Sequence, residues 1–165
     1  MSEKTELLNF IYKNANMGET AMPMVIGMVT RPDLRAVLSS CLMDYRAVGG
    51  AAKETMRRCG HRGEDPGAMK KAMMKTVLHW NALLSPPPRH IAEMMIRGST
   101  MGAIQMSKRI NAYRYTAGEE ALMLAERLLK VEEETVERMK AFCEGEKNQN
   151  ENRKNCVMGM KSNRT

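Results

Sequence analysis

The chain has 165 residues, 43% apolar and 27% charged, with 18 methionines and only 4% aromatics. That length suits one domain with or without a tail, and that much apolar content excludes a chain disordered throughout. The longest apolar stretch, Ala21 to Val29, is too short to span a bilayer, and the charged N-terminus leads into no signal-type segment. The expected location is therefore cytoplasmic. The four cysteines, Cys41, Cys59, Cys143 and Cys156, form no C-x-x-C pair, which fits reduced thiols.

The net charge of +7 is unevenly spread. Residues 45–118 carry 13 Lys/Arg against four Asp/Glu, whereas residues 119–144 carry four against eight. A basic middle can attract phosphate backbones or other polyanions. It comes without a glycine-rich phosphate loop or a row of aromatics, so the plainer expectation is an acidic last helix packed beside basic neighbours.

Five helical segments are expected in chain order. The first covers Ser2 to Val29, where Leu7, Ile11, Ala15, Gly18, Met22, Ile26 and Val29 share one face. Pro23 lacks an N–H and is expected to kink it. Thr30 is the expected cap of the second, with Pro32 in the first turn and Asp33 at the positive helix end. Its stripe of Leu34, Val37, Leu38, Cys41, Tyr45, Val48, Ala52, Thr55 and Cys59 ends at Gly60. A shorter helix over about Ala68 to Leu84 carries Met69, Met73, Val77 and Trp80, and Pro86-Pro87-Pro88 stops it.

The fourth segment runs from about Arg89 to Tyr113. Its expected inner side is Ile91, Met94, Met95, Gly98, Met101, Gly102, Gln105 and Met106, with Gly98 and Gly102 placed to admit a neighbouring backbone. The fifth covers about Gly118 to Phe142, with Ala121, Leu124, Leu128, Val131, Thr135, Met139 and Phe142 inward, and Gly145 closing it. No segment shows period-two alternation, so no sheet is expected. Residues 145–165 are polar and asparagine-rich and read as a disordered tail after a bundle domain over 1–144.

Four long helices with a shorter one in the middle resemble a ferritin-like bundle. Leu8-Asn9-Phe10-Ile11 with Gly18-Glu19, then Asp33-Leu34-Arg35, Met56-Arg57-Arg58-Cys59-Gly60, Trp80, Arg97-Gly98 and the stretch Leu128 to Lys140 carry the resemblance. They resemble the small ferritin-like proteins of unknown function found in bacteria, over about residues 5–144. The resemblance implies an all-α, antiparallel four-helix bundle with a short crossover helix between the second and third long helices. It also implies self-association, so a homodimer is an expected partner state.

Ferritin-like di-iron proteins bind two hard cations with one Glu on each of two helices and a Glu-x-x-His pair on each of the other two. The matching candidates are Glu19 on the first helix, Asp44 on the second and Glu132 on the last. Three residues after Asp44 stands Ala47, and three after Glu132 stands Thr135, so neither pair has its histidine. The fourth helix has no acid in Arg97-Gly98-Ser99-Thr100. The only histidines, His61, His79 and His90, lie in or beside the loop and short-helix region. Glu19, Asp44 and Glu132 are therefore candidate metal ligands of a degenerate site, with di-iron or another divalent metal as its cofactor.

Methionine sulfur suits Cu(I), and Met22-Pro23-Met24, Met73-Met74, Met94-Met95 and Cys156-Val157-Met158-Gly159-Met160 offer it. Most of the methionines fall on apolar helix faces, where flexible thioethers fill a core. Cys59-Gly60-His61 pairs a thiol with an imidazole, but a helix C-terminus disfavours the thiolate. The run Glu132-Glu133-Glu134 with Glu137 reads as a solvated face paired to Arg138 and Lys140.

The expected function is that of a non-catalytic ferritin-like protein without a complete di-iron site, a cytoplasmic binding or stress-associated protein. The alternatives are a metal-dependent oxidoreductase or metal-storage protein using Glu19, Asp44 and Glu132, and a polyanion-binding module using the basic span from Arg57 to Lys75. No membrane partner is expected.

Overall fold

The computed structural model describes residues 2–63, 67, 71, 75 and 86–161, and from residue 144 onward the backbone alone. Among them there are four long helices and no strand: α1 (Glu3–Met28), α2 (Pro32–Arg58), α3 (Pro88–Tyr113) and α4 (Glu119–Lys161). The short helix expected over 68–84, with Trp80 and Met73, lies almost wholly outside the described residues. Among the described residues no helix is long and apolar enough to cross a membrane.

The helix ends follow from local chemistry. The Ser2 hydroxyl caps α1 by accepting the Thr5 N–H at 3.3 Å, and Glu3 and Glu6 complement the first turn. α1 then stays one helix through Gly18 and Pro23. At the start of α2 the expected cap is displaced by one residue. Arg31, not Thr30, holds the N-cap position and makes no side-chain cap bond. Asp33 accepts the Leu34 N–H at 2.9 Å instead, and its carboxyl is held down at about 2 by the Arg31 guanidinium. α2 ends where Gly60 takes φ +77°. The Gly60 N–H reaches Arg57 O and the His61 N–H reaches Met56 O, each at 3.0 Å, so the last carbonyls are satisfied by a left-handed glycine turn. Gly118, at φ +80°, plays the corresponding part before α4. The backbone of α4 does not stop at Gly145, where a helix end was expected, but continues to Lys161.

α1 packs most extensively on α2, and α3 on α4; α2 meets α4 more sparingly, and α1 meets both α3 and α4. A Cβ on Gly18 would meet Tyr45, and one on Gly49 would meet Ala15, so contacts move back along α1 as they move forward along α2. The shared core contains Leu7, Leu8, Ile11, Leu34, Leu38, Ile91 and Leu128, each 1% exposed or less. Each such side chain contributes about 1.5–3 kcal/mol of burial. Met22, Met56, Met106 and Met139 are buried with them, whereas Met43, Met101 and Met123 are more than half exposed. Methionine is thus both core filler and surface residue here.

The inner face of α3 is corrected by about one residue. Gly98, Met101 and Gln105 face outward, and Ala92, Ser99, Met106 and Ile110 are the buried positions beside Ile91. The small side chains at 92 and 99 allow α3 to approach its neighbours. Gly98 approaches nothing, since a Cβ there would have no neighbour within 4 Å.

Candidate functional site

The three candidate ligands occupy three separate environments. Glu19 of α1 pairs with Arg46 of α2 at 3.4 Å and is 39% exposed. Asp44 of α2 accepts from Arg138 of α4 at 3.0 Å. The same guanidinium donates to Glu134 at 3.1 Å and approaches the Cys41 sulfur at 3.8 Å. Only Glu132 lies inside the bundle, 6% exposed. The glutamate run around it divides accordingly. Glu133 and Glu137 are exposed, Glu134 pairs with Lys130 and Arg138, and Glu132 alone turns inward.

The surroundings of Glu132 come from all four helices. Tyr45 of α2 donates its phenol proton to Glu132 Oε2 at 2.6 Å. The hydroxyl of Ser99, from α3, lies 3.4 Å from the Tyr45 oxygen. Two glycines make the space. A Cβ on Gly18 of α1 would stand 2.7 Å from the Tyr45 ring, and a Cβ on Gly102 of α3 would stand 2.6 Å from Glu132 Oε1. The expected close approach at Gly102 is therefore real, but a carboxylate fills it rather than a neighbouring backbone. Gly18, Tyr45, Glu132 and Gly102 form one line across the bundle, from α1 through α2 and α4 to α3.

Electrostatics here is governed by burial. Removal from water raises the Glu132 carboxyl to about 7, while the bonds from Tyr45 and Ser99 pull it down only partly. Burial also pushes Tyr45 well above the usual phenol range, and the neighbouring Glu132 charge adds to that. The pair therefore holds one exchangeable proton near neutral pH, on Glu132, and Tyr45 stays a donor. Thr135, one turn further along α4 and 1% exposed, donates its hydroxyl to Val131 O at 2.8 Å.

The donor set of a di-iron or other divalent metal centre does not assemble from these residues. Glu19 and Asp44 are committed to arginines, and Glu132 to a phenol. Among the described residues no group of three or more His, Cys, Asp or Glu is placed to hold a metal ion. Cys59 is exposed at the end of α2, and the backbone of His61 is tied to Met56 O. The Cys156 to Met160 side chains, and Met73, Met74 and His79, lie outside the described residues. Tyr45 and Ser99 were missed as site residues. Their signal was a polar-tipped aromatic on an apolar stripe, which needs a buried partner.

A second feature is an open groove of about 480 Å³ between the end of α2 and the start of α4, with Ala51, Met123 and Leu124 along its apolar part. Its charged edge is already tied together: Arg58 and Lys4 both bind Glu120, Lys4 at 3.3 Å, and Arg57 binds Glu54 at 2.7 Å. Compared with protein-family models, curated proteins and solved structures, the chain matches none of them.

Proposed function

We propose that this chain is a ferritin-like, antiparallel four-helix bundle with a crossover segment between its second and third long helices, and that it acts by binding rather than by catalysis. The cytoplasmic, stress-associated role implied by the resemblance belongs to the same proposal. One observation supports a bundle without a metal-based catalytic centre most directly. The carboxylate at the bundle centre, Glu132, is engaged by Tyr45 at 2.6 Å, in the space where a metal-binding bundle would place further acids and histidines. A proton on Glu132 does there what a cation would do elsewhere, relieving a buried negative charge.

The alternative, a metal-dependent or metal-storing bundle using Glu19, Asp44 and Glu132, differs in a directly measurable way. Protein purified without chelator and then incubated anaerobically with Fe(II), Mn(II) or Zn(II) is expected to retain well under one ion per chain after desalting. Its thermal midpoint is expected not to move. One or two retained ions per chain, lost in Glu132→Gln, would establish the metal reading and remove this one.

A further inference from the structure

The outward side of α3 carries Arg97, Met101, Ile104 and Lys108 at steps of four, three and four, which is one line along a helix. All four are exposed, Met101 at 56% and Ile104 at 46%. No acidic residue occurs from Met94 to Gly118. The line therefore presents two apolar side chains bracketed by cations over about 16 Å of helix. The outward side of α4 carries the complement. Glu119, Met123, Glu126 and Glu133 follow at steps of four, three and seven, all exposed, with Met123 at 62% and Lys130 the one cation on that line.

Among the described residues, Glu19, Asp33, Asp44, Glu54, Glu93, Glu120, Glu134 and Glu137 are already paired inside the chain. Apart from Lys130, which pairs with Glu134, the charges on the two outward lines are not. Among the described residues neither Arg97 nor Lys108, and neither Glu119 nor Glu126, takes part in an ion pair. The fold leaves a basic-apolar line and an acidic-apolar line uncommitted on two helices that pack against each other.

We infer that this chain associates with a second copy of itself, the α3 line of each copy lying on the α4 line of the other. Met101 and Ile104 meet Met123, Arg97 and Lys108 meet Glu119 and Glu126, and a two-fold axis makes both contacts at once. Only a second copy is argued from both halves of the contact, since both halves lie on this chain. A nucleic acid would set phosphates against Met101 and Ile104. A membrane would need a wider apolar face than two side chains provide. The contact is small, so the association is weak, salt-sensitive and at the low end of specific interfaces.

Sedimentation equilibrium on the full chain, from about 10 to about 500 µM at low salt, tests this. The wild type is expected to move from monomer to dimer and to return to monomer at high salt. Arg97→Glu with Lys108→Glu, and separately Glu119→Lys with Glu126→Lys, are each expected to weaken association at least about tenfold while far-ultraviolet circular dichroism stays unchanged. An equimolar mixture of the two double variants is expected to recover it, because both contacts then regain opposite charges. A wild type that stays monomeric throughout, a folded double variant that still associates, or a mixture that fails to recover would each overturn the inference. So would a monomer that binds heparin, duplex DNA or anionic vesicles through Arg97 and Lys108.

Discussion

Glu132 is a carboxylate inside the bundle, 6% exposed and bonded to Tyr45. Its carboxyl is raised from the ordinary range to about 7 because burial disfavours the charge. The folded state therefore binds a proton that the unfolded chain has already released between about pH 4.5 and 7. This contribution to stability is complete below the unfolded value and is lost as pH rises through the folded one. A shift of that size corresponds to something on the order of 3 kcal/mol. Asp33, Glu54 and Glu120 are held low by arginine partners, so their titrations fall below this window. Urea unfolding of the wild type is expected to show stability falling from pH 5 to pH 8. Glu132→Gln, which stays neutral and keeps an acceptor for Tyr45, is expected to flatten that fall and to be the more stable protein at pH 8. Parallel pH profiles for the two proteins would contradict the assignment.

At the scale of the element, α1 shows a local rule overridden by packing. Pro23 is exposed and lies inside a 26-residue helix, where it cannot donate to the Glu19 carbonyl. The helix persists because Met22 and Val25, on either side of it, are buried at 2% exposure. Pro23→Ala restores the missing bond without touching the core. It is expected to stabilise the protein by about 1–3 kcal/mol, read as a higher urea midpoint with an unchanged slope. A lower midpoint would mean that Pro23 itself is needed for packing. α3 shows the reverse case, a helix correctly expected whose inner face was misplaced. Its hydrophobic pattern is ambiguous because Met101 and Ile104 lie on the outer side. Small residues, Ser99 and Gly102, mark the side that meets Tyr45 of α2 and Glu132 of α4.

At the scale of the whole molecule, four helices bury one thiol and leave another in solvent. Cys41 is buried beside Arg138, Cys59 is exposed and Cys143 is intermediate. An aromatic disulfide reagent is expected to label native Cys59 at once. It is expected to reach Cys41 only as the bundle opens, at least about a thousandfold more slowly. Mass spectrometry of the labelled peptides separates the two. Comparable rates at both positions would mean that α2 and α4 part readily along the Asp44 to Arg138 contact. The charge distribution also acts at this scale. The acidic α4 does pack beside basic residues, as Arg58 of α2 and Lys4 of α1, both paired with Glu120, illustrate, so part of the net charge is neutralised within the fold.

The four long helices and much of the core were legible in the sequence, because period-3.6 stripes, Pro32, Gly60 and the triple proline act through local backbone physics. Leu7, Ile11, Ala15, Leu34, Leu38, Cys41 and Leu128 were placed inward by spacing alone and are fully buried. The fate of the acids was not legible. Glu19, Asp44 and Glu132 look alike along the chain, since each is a carboxylate near an apolar stripe. Tertiary structure alone separated them, by bringing an arginine to two and a phenol to the third. It also gave Gly18 and Gly102 their purpose, since space for a side chain exists only once another helix stands opposite. Periodicity decides which way a helix faces, but a buried charge is decided by what reaches it from the neighbouring helices.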